Sequence, residues 1–209
     1  MKTFITFSPQ QAEGFLHAAL YLPAGNPALE YGETRFPIIP VINGYTLQNE
    51  EIRVIVLCQD HERCVNNLKY LRQELESVFQ TKNLRAAATA TEGELFELVM
   101  VPFSDKVTDH VETFQKLIDR IQDGDDLHAC ITYGSKPAPM VELMAMRYAR
   151  QIKKDTYISC IVYGQLGRGG DPSYIHDETA LAHLDDLIRI LAMNGDPNPK
   201  ATLDRIIGK

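Results

Sequence analysis

Short apolar runs alternate with longer amphipathic segments along most of this chain. Five runs are continuous enough for buried strands: 4–7, 52–57, 95–101, 127–133 and 157–163. Longer segments with apolar residues at helical spacing predict helices over 61–80, 105–121 and 177–192. Near-continuous apolar strands that alternate with helices indicate a mostly parallel sheet covered on both faces. With right-handed crossovers, the pattern predicts an α/β protein: a Rossmann-like three-layer domain with a mostly parallel central sheet.

Other segments have a weaker pattern. Residues 10–22 predict a short helix followed by a loop, and an irregular helix is expected to begin near Tyr31, within a stretch rich in proline and glycine. Residues 85–91 have little periodicity and are predicted as a loop or a frayed helix end. The helix over 105–121 is expected to turn these apolar residues inward: Val107, Val111, Phe114, Leu117, Ile118 and Ile121.

The end of the sequence departs from this alternation. The segment Asn194-Gly195-Asp196-Pro197-Asn198-Pro199 has the composition of a linker, and a short helix is predicted over 201–207. We therefore divide the chain into a domain over residues 1–193 and a linker or C-terminal extension over residues 194–209. The extension is expected either to pack back on the domain or to lead into a further one.

The turn after the fourth predicted strand combines a glycine, a hydroxyl and a cation. The strand is expected to end on Tyr133, and Gly134, Ser135 and Lys136 follow before Pro137, which suits the first turn of a helix. In parallel α/β sheets ligands bind at this edge. Free N–H groups and the dipole at a helix amino end attract anions. An ordinary turn with a solvated lysine accounts for the same residues equally well.

Composition narrows the classes of partner. The 209 residues are 44% hydrophobic and 23% charged, as in an ordinary globular protein. The net charge of −7 does not favour binding to duplex nucleic acid, although a local positive pocket could hold a small anion. No apolar run approaches the roughly 20 residues of a membrane helix, and the amino end is too short for a signal peptide. We therefore expect a cytoplasmic protein with no membrane contact.

The sequence lacks the motifs of several common metal sites, cofactor sites and enzyme classes. The four cysteines and six histidines show no metal-binding spacing, so we expect reduced core thiols and no metal. The dinucleotide motif GxGxxG, the P-loop and the nucleophile elbow GxSxG are all missing. The glycine-rich segment 164–170 is not followed directly by a helix, which favours a plain loop over a phosphate cradle. We therefore expect no cofactor.

Polar side chains follow three of the predicted strands. Ser8 follows the first strand, Ser135 and Lys136 follow the fourth, and Tyr163 and Gln165 lie at the end of the fifth. Because parallel strands end on the same side of a sheet, these side chains could converge at one edge.

At these places the chain resembles the CRISPR-associated Rossmann fold (CARF) family, the ligand sensors of type III CRISPR antiviral defence. The first strand and its hydroxyl, Phe4-Ile5-Thr6-Phe7-Ser8, carry one part of the resemblance. The segment Ile131-Thr132-Tyr133-Gly134-Ser135-Lys136-Pro137 is similar to the family's Gly-[Thr/Ser]-[Lys/Arg] turn, with Tyr133 in place of a commoner glycine. Ile161-Val162-Tyr163-Gly164 and the later Ile175-His176-Asp177-Glu178-Thr179 carry the rest, so the resemblance spans about residues 1–192.

The resemblance implies a homodimer that binds a cyclic oligoadenylate second messenger across its two-fold axis. Cyclic tetra-adenylate is favoured and cyclic hexa-adenylate is the other candidate, because both rings contain a two-fold axis that a symmetric dimer can match. Lys136 and backbone N–H groups would contact phosphates, the two serines would bind phosphate or ribose, and Met140 or Tyr163 would pack on adenine. The full implied ligand-binding set is Ser8, Pro9, Gly134, Ser135, Lys136, Met140, Tyr163 and Gln165.

Some members of the family cleave their own ligand without a metal. There, a ribose 2′-OH attacks the adjacent phosphate, and a hydroxyl after the first strand and a lysine after the fourth carry the activity. Ser8 and Lys136 match these positions and are the candidate catalytic residues of a ring nuclease, although both could simply bind. Family members also usually carry an effector domain. Here the resemblance leaves two alternatives open: an effector domain follows the C-terminal end of the sequence, or the protein works alone as a sensor or ring nuclease.

Two other classes of function remain open. A Rossmann-like enzyme could use Lys136 and the 164–170 loop to act on a small nucleotide or sugar phosphate. Such an enzyme should have one closed pocket per subunit, whereas a CARF domain should have its site on a two-fold axis. A pure interaction module would bind no phosphate at all.

Overall fold

The computed structural model describes residues 1–87, 94–169 and 171–208, and it shows a Rossmann-like α/β fold. The strands are β1 (Lys2–Phe7), β2 (Ala19–Ala24), β3 (Gly32–Thr34), β4 (Glu51–Gln59), β5 (Arg85–Ala86), β6 (Glu97–Val101), β7 (Asp126–Cys130), β8 (Tyr157–Gln165) and β9 (Ser173–Asp177). The helices are α1 (Ile38–Tyr45), α2 (Glu62–Lys82), α3 (Val107–Ile118), α4 (Ala138–Ile152), α5 (Thr179–Met193) and α6 (Pro199–Ile206). A single 3-10 turn covers Glu13–Phe15.

β1 lies at the centre of the mostly parallel sheet that these strands form. The five main parallel strands follow the order β6-β4-β1-β7-β8. Every residue of β1 after Lys2 is buried, since neighbouring strands and helices remove water from both of its faces. The chain winds from β1 to one side through β4 and β6, and then to the other side through β7 and β8. This reversal opens a crevice at the carboxyl edge of the sheet. The predicted fold class is confirmed.

The sheet continues beyond β8 through strands that the sequence pattern did not predict. β9 runs antiparallel to β8, β2 runs parallel to β9, and β3 runs antiparallel to β2. The prediction of a helix and a loop over residues 10–22 was therefore wrong, because only a 3-10 turn and β2 form there. The short β3 and then α1 replace the irregular helix expected from Tyr31. One face of these outer strands is open to water, with Leu20 and Glu33 both exposed. β2 contains a proline, and β3 and β9 contain charged or polar residues, so none has the pattern of a buried strand.

The remaining differences concern boundaries. Arg85 and Ala86 pair with β4 as a short strand instead of forming a loop or a frayed helix, while residues 88–91 of that predicted segment lie outside the described residues. β7 ends at Cys130, not at Tyr133, because the backbone turns there towards α4. A short helix does follow the linker segment, and none of its residues is buried.

The helices flank the sheet in two packed groups. α1 packs on α2, while α3 packs on α4, and two ion pairs join α4 to α5. Those pairs are Arg147 with Asp185 and Arg150 with Asp186. Within the described ranges, no helix is both long and apolar enough to cross a bilayer.

Two helices carry apolar faces that the fold leaves uncovered. On α3, Val107 and Val111 are 76% and 49% exposed, so the prediction that they turn inward was wrong, whereas Leu117 is buried as expected. The outer face of α4 exposes four residues at four-residue spacing: Met140, Met144, Tyr148 and Ile152. Phe114 of α3 packs edge-on against Tyr148, so the two faces adjoin. Periodicity identifies an apolar face but not what covers it.

All four cysteines are buried and none is in a disulfide, as expected for reduced core thiols: Cys58, Cys64, Cys130 and Cys160. Burial raises the pKa of Cys58 and of Cys160 to about 12, and that of Cys130 to about 11. These thiols therefore stay protonated at neutral pH.

A buried ion pair joins several elements at the amino edge of the sheet. Arg53 of β4 is 3% exposed, and its Nη2 donates to the two carboxylate oxygens of Asp125 at 2.8 and 3.1 Å. Its Nη1 donates to the Arg120 carbonyl at 2.7 Å, and Asp125 accepts from the Gln122 N–H at 2.7 Å. One guanidinium therefore fixes β4 against the connection between α3 and β7. Removing Asp125 would leave the buried Arg53 guanidinium with only the Glu97 carboxylate, whose Oε1 lies 4.0 Å from Arg53 Nε.

We predict that Asp125→Ala lowers the free energy of unfolding by about 3 kcal/mol, since it leaves the buried Arg53 guanidinium with only the longer 4.0 Å contact between its Nε and Glu97 Oε1. Urea unfolding followed by circular dichroism measures the change. The matched control is Asp204→Ala, which removes the exposed pair with Lys200 on α6 and should cost less than about 0.5 kcal/mol. Equal effects of the two substitutions would contradict a structural role for the buried pair.

Candidate functional site

The carboxyl edge of the sheet contains a cavity of about 1000 Å³. Its walls come from the segment after β1, the turn after β7 and the hairpin of β8 and β9: Gln11, Thr132, Tyr133, Tyr163, Gly164, Gln165, Leu166, Gly167, Arg168, Asp171, Pro172 and Tyr174. A smaller cavity of about 310 Å³ shares three of these residues and reaches Gln10 and Gly134. The two cavities therefore adjoin, and polar and aromatic side chains line both of them.

Thr132 links the turn after β7 to the neighbouring strand. Its hydroxyl accepts a hydrogen bond from the Gly164 N–H at 2.8 Å and lies 3.1 Å from the Sγ of Cys130. The Thr132 hydroxyl thus accepts the β8 hydrogen bond that a backbone carbonyl would accept if β7 continued. Gly164 itself has no room for a side chain, because a Cβ there would lie 2.3 Å from the Pro37 ring.

Gly134 allows α4 to begin directly after this turn. Its φ is 102°, in the left-handed region that glycine adopts without strain. An added Cβ would lie 2.6 Å from the Cβ of Ala138 and 3.1 Å from the Phe7 ring. The glycine that the sequence pattern singled out is thus required by both the backbone angle and the packing of α4 onto β1.

Tyr133 lines the large cavity, but most of its side chain is buried in the protein. Its side chain is buried, lies edge-on to Phe36 at 6.3 Å between ring centroids, and donates its hydroxyl proton to the Arg35 carbonyl. Burial raises the pKa of the Tyr133 phenol, so the ring stays neutral. Tyr133 therefore connects the turn to the segment between β3 and α1.

Lys136 and Met140 lie at the exposed amino end of α4. Within the described ranges, the Lys136 ammonium makes no ion pair or hydrogen bond. Ser135 is partly exposed, and its carbonyl accepts from Ala138 N–H at 2.9 Å. Met140 is 64% exposed. The structure thus places a cation, a hydroxyl and an apolar side chain where the helix dipole favours an anion.

Ser8 and Pro9 lie at the carboxyl end of β1 but do not line either cavity. The Ser8 side chain is fully buried, and its hydroxyl donates to the Cys64 carbonyl at 2.6 Å. The Pro9 carbonyl accepts from the Asn67 side chain at 2.9 Å. The binding and catalytic roles assigned to Ser8 stay predictions, and in this structure its hydroxyl stabilises the start of α2.

The two residues that follow Pro9 reach the site instead. Gln10 and Gln11 line the smaller cavity, and Gln11 also lines the larger one, where its Oε1 is buried without a hydrogen-bond partner among the described residues. Sequence reasoning passed over both glutamines because amides carry no motif. Their position directly after a central strand was the available signal.

The hairpin of β8 and β9 contributes both predicted and unpredicted residues. Tyr163 and Gln165 line the large cavity as expected, and so do Arg168 and Tyr174, which sequence reasoning did not select. β9 was not predicted, so the position of Tyr174 opposite Gln165 was not visible from the sequence pattern. The large cavity therefore has a cation, Arg168, in its wall, whereas the predicted site residues Ser135, Lys136 and Met140 line neither cavity.

This arrangement can bind an anion that carries flat rings. Two exposed cations can contact phosphate, amides and hydroxyls can bind ribose or base edges, and tyrosine rings offer stacking surfaces. Among the described residues, no group of three or more metal-binding side chains occurs. No protein-family model and no curated protein matches this chain.

Glu142 is a buried carboxyl one turn into α4. Its side chain is 0% exposed, and neither oxygen has a hydrogen-bond partner in the part of the chain that the structure describes. Burial raises the pKa of this carboxyl well above its usual 4.5. Burial without a partner therefore favours the protonated, neutral form of this carboxyl beneath the anion-attracting end of the helix.

We predict that Glu142→Gln stabilises the protein at pH 8 and that the gain shrinks towards pH 4. The folded protein holds this proton more tightly than the unfolded chain, whose carboxyl ionises above about pH 4.5. Stability from Glu142 is therefore fully present below that pH and lost as the pH rises. Thermal unfolding from pH 4 to pH 8 measures the difference.

The matched control for this pH series is Glu76→Gln, at an exposed position on α2. It should leave the pH dependence of unfolding unchanged. A Glu142→Gln curve parallel to that of the unsubstituted protein would contradict a neutral buried carboxyl.

Proposed function

We propose that this chain is a homodimeric sensor that binds a cyclic oligoadenylate across its two-fold axis, as its resemblance to the CARF family implies. Cyclic tetra-adenylate is the favoured ring, with cyclic hexa-adenylate as the other candidate. The observation that carries the proposal is the Lys136 ammonium, which is exposed and unpaired among the described residues at the amino end of α4, two residues after Gly134 in the wall of the smaller cavity. This combination suits the phosphates and bases of a nucleotide ring.

The apolar face of α4 supports the dimer. Met140 lies within one turn of Lys136, and Met144 and Ile152 continue the same exposed face for the length of the helix. Contiguous exposed apolar side chains mark interaction surfaces in globular proteins. A second copy seated on this face would bring its own Lys136 near the first, so that one symmetric ring could contact both.

Ring cleavage is a further part of the proposal. A ribose 2′-OH would attack the adjacent phosphorus, the P–O5′ bond would break, and a 2′,3′-cyclic phosphate and a 5′-OH would result. The proton lost by the 2′-OH balances the proton gained by the leaving oxygen. Lys136 would stabilise the charge that builds on the phosphate oxygens, while the protein holds the reacting atoms in line.

The cavity also favours a second candidate, an enzyme acting on a small nucleotide or sugar phosphate. Its walls, including Arg168, come from a single chain, so it could hold one ligand per subunit. Calorimetry separates the two candidates: one ring per dimer supports the sensor, whereas one mononucleotide or sugar phosphate per subunit supports the enzyme.

We predict that the protein sediments at about twice 23.5 kDa at micromolar concentration and that Met144→Glu shifts it towards the monomer. A charge at the centre of the α4 face would have to be buried in the dimer, which is costly. The control is Val65→Glu, at a similarly exposed apolar position on α2 in the other helix group. A monomeric protein, with and without ligand, would exclude the shared site.

We predict that Lys136→Ala weakens binding of cyclic tetra-adenylate by roughly ten- to a hundredfold for each lysine removed, the range for a charge-assisted hydrogen bond, and the substituted dimer loses two. The melting temperature without ligand should not change, because the side chain is exposed. Calorimetry measures affinity, and Lys154→Ala at an exposed position just past the other end of α4 is the control.

If the protein cleaves the ring, Lys136→Ala should slow cleavage more than it weakens binding, since charge develops in the transition state. Single-turnover assays of labelled ring with EDTA present separate the two effects. Unchanged affinity and unchanged cleavage would show that the turn after β7 plays no part in ligand binding.

A further inference from the structure

The hairpin of β8 and β9 aligns four polar and aromatic side chains on one face of the sheet. Tyr163 lies directly opposite His176, and Gln165 lies directly opposite Tyr174. The residues between them on each strand are buried on the other face, so these four share the open one. The Tyr174 and His176 rings lie 6.0 Å apart between centroids. The result is a flat surface that continues the wall of the large cavity.

A hydrogen bond within this surface fixes the direction of the Gln165 amide. His176 Nε2 lies 2.8 Å from Gln165 Oε1. A carboxamide oxygen only accepts hydrogen bonds, so the imidazole Nε2 carries the proton and donates it. The amide oxygen is thereby occupied, and the amide NH₂ keeps its donors. Since Gln165 lines the cavity, these donors are available to a ligand there.

We propose that Gln165 recognises the adenine base, with His176 as its positioning residue; this inference rests on the proposed function. The amide NH₂ would donate to a ring nitrogen of adenine, whose Watson–Crick edge offers N1 as an acceptor. Guanine carries a hydrogen on N1 and would oppose the same donor. Tyr163 and Tyr174 would stack on the base, as aromatic side chains do with single-stranded nucleotides.

The position of the cations supports a base here instead of a phosphate. Arg168 lines the same cavity beyond Gln165, and Lys136 lies at the amino end of α4. Both can bind phosphate more strongly than a neutral amide can. The four side chains of the hairpin surface include no lysine, arginine or carboxylate and offer aromatic rings, which matches the chemistry of a nucleobase.

The decisive variant is Gln165→Glu, because it replaces the donor with an acceptor of nearly the same shape. Calorimetry with cyclic tetra-adenylate and cyclic tetra-guanylate measures both affinities. We expect adenylate binding to fall at least about tenfold, and the preference for adenylate over guanylate to shrink by at least the same factor, since a carboxylate accepts from guanine N1–H. Added negative charge alone would weaken both rings equally and leave the ratio unchanged.

The matched control is Gln80→Glu, at an exposed position on α2. It should change neither affinity nor base preference. Melting temperatures without ligand show that each variant folds.

His176 is tested by a pair of substitutions. His176→Phe keeps a flat ring but removes the donor, so the Gln165 amide is free to rotate and the base preference should weaken about as much as in Gln165→Glu. His176→Gln keeps an N–H donor and should restore part of the preference. A structural role alone would lower the melting temperature in both variants without changing the ratio of affinities.

The two proposals fail in different ways. If the unsubstituted protein binds neither ring, the sensor proposal is wrong. If it binds cyclic tetra-adenylate while Gln165→Glu retains the full base preference, the role of Gln165 is wrong and the sensor proposal stands.

Discussion

The buried pair of Arg53 and Asp125 is the interaction on which the arrangement of the central strands depends. It joins β4 to the start of β7, and these two strands are the neighbours of β1. With their amino ends held together, the three strands run in register and end at one common edge. The Arg53–Asp125 pair at the amino edge is hidden from water, whereas Lys136 at the carboxyl edge is exposed. The ion pair that stabilises the fold and the cation proposed to bind a ligand therefore lie at opposite edges of the same sheet.

At the carboxyl edge, close packing replaces ion pairing. Gly134 brings α4 against Phe7, Gly164 lies against Pro37, and Thr132 bridges two strands through its hydroxyl. Tyr133 extends these contacts to the segment before α1. The backbone around the site is therefore rigid, which keeps the exposed side chains in place without binding them. A preorganised site of this kind loses little entropy when a ligand binds.

The innermost strands could be predicted from the sequence because they are almost wholly buried and therefore apolar, and the long helices because apolar residues recur on one face at helical spacing. β2, β3 and β9 could not, since one face of each meets water and their short runs include proline or polar residues. The turn at Gly134 was recognisable from glycine followed by a hydroxyl, a cation and proline. The burial of Ser8 was not, because it depends on the Cys64 carbonyl, which is 56 residues away in the chain. Likewise, Arg168 and Tyr174 become part of the site only through the unpredicted hairpin.

The burial of all four thiols has a consequence for chemical labelling. Thiol reagents attack the thiolate, and these cysteines are both protonated and inaccessible in the folded protein. A single cysteine introduced on the exposed face of α4 would therefore react far faster than the native four, which need not be removed. Fluorophores or spin labels placed there would report distances across the face from an otherwise unaltered chain.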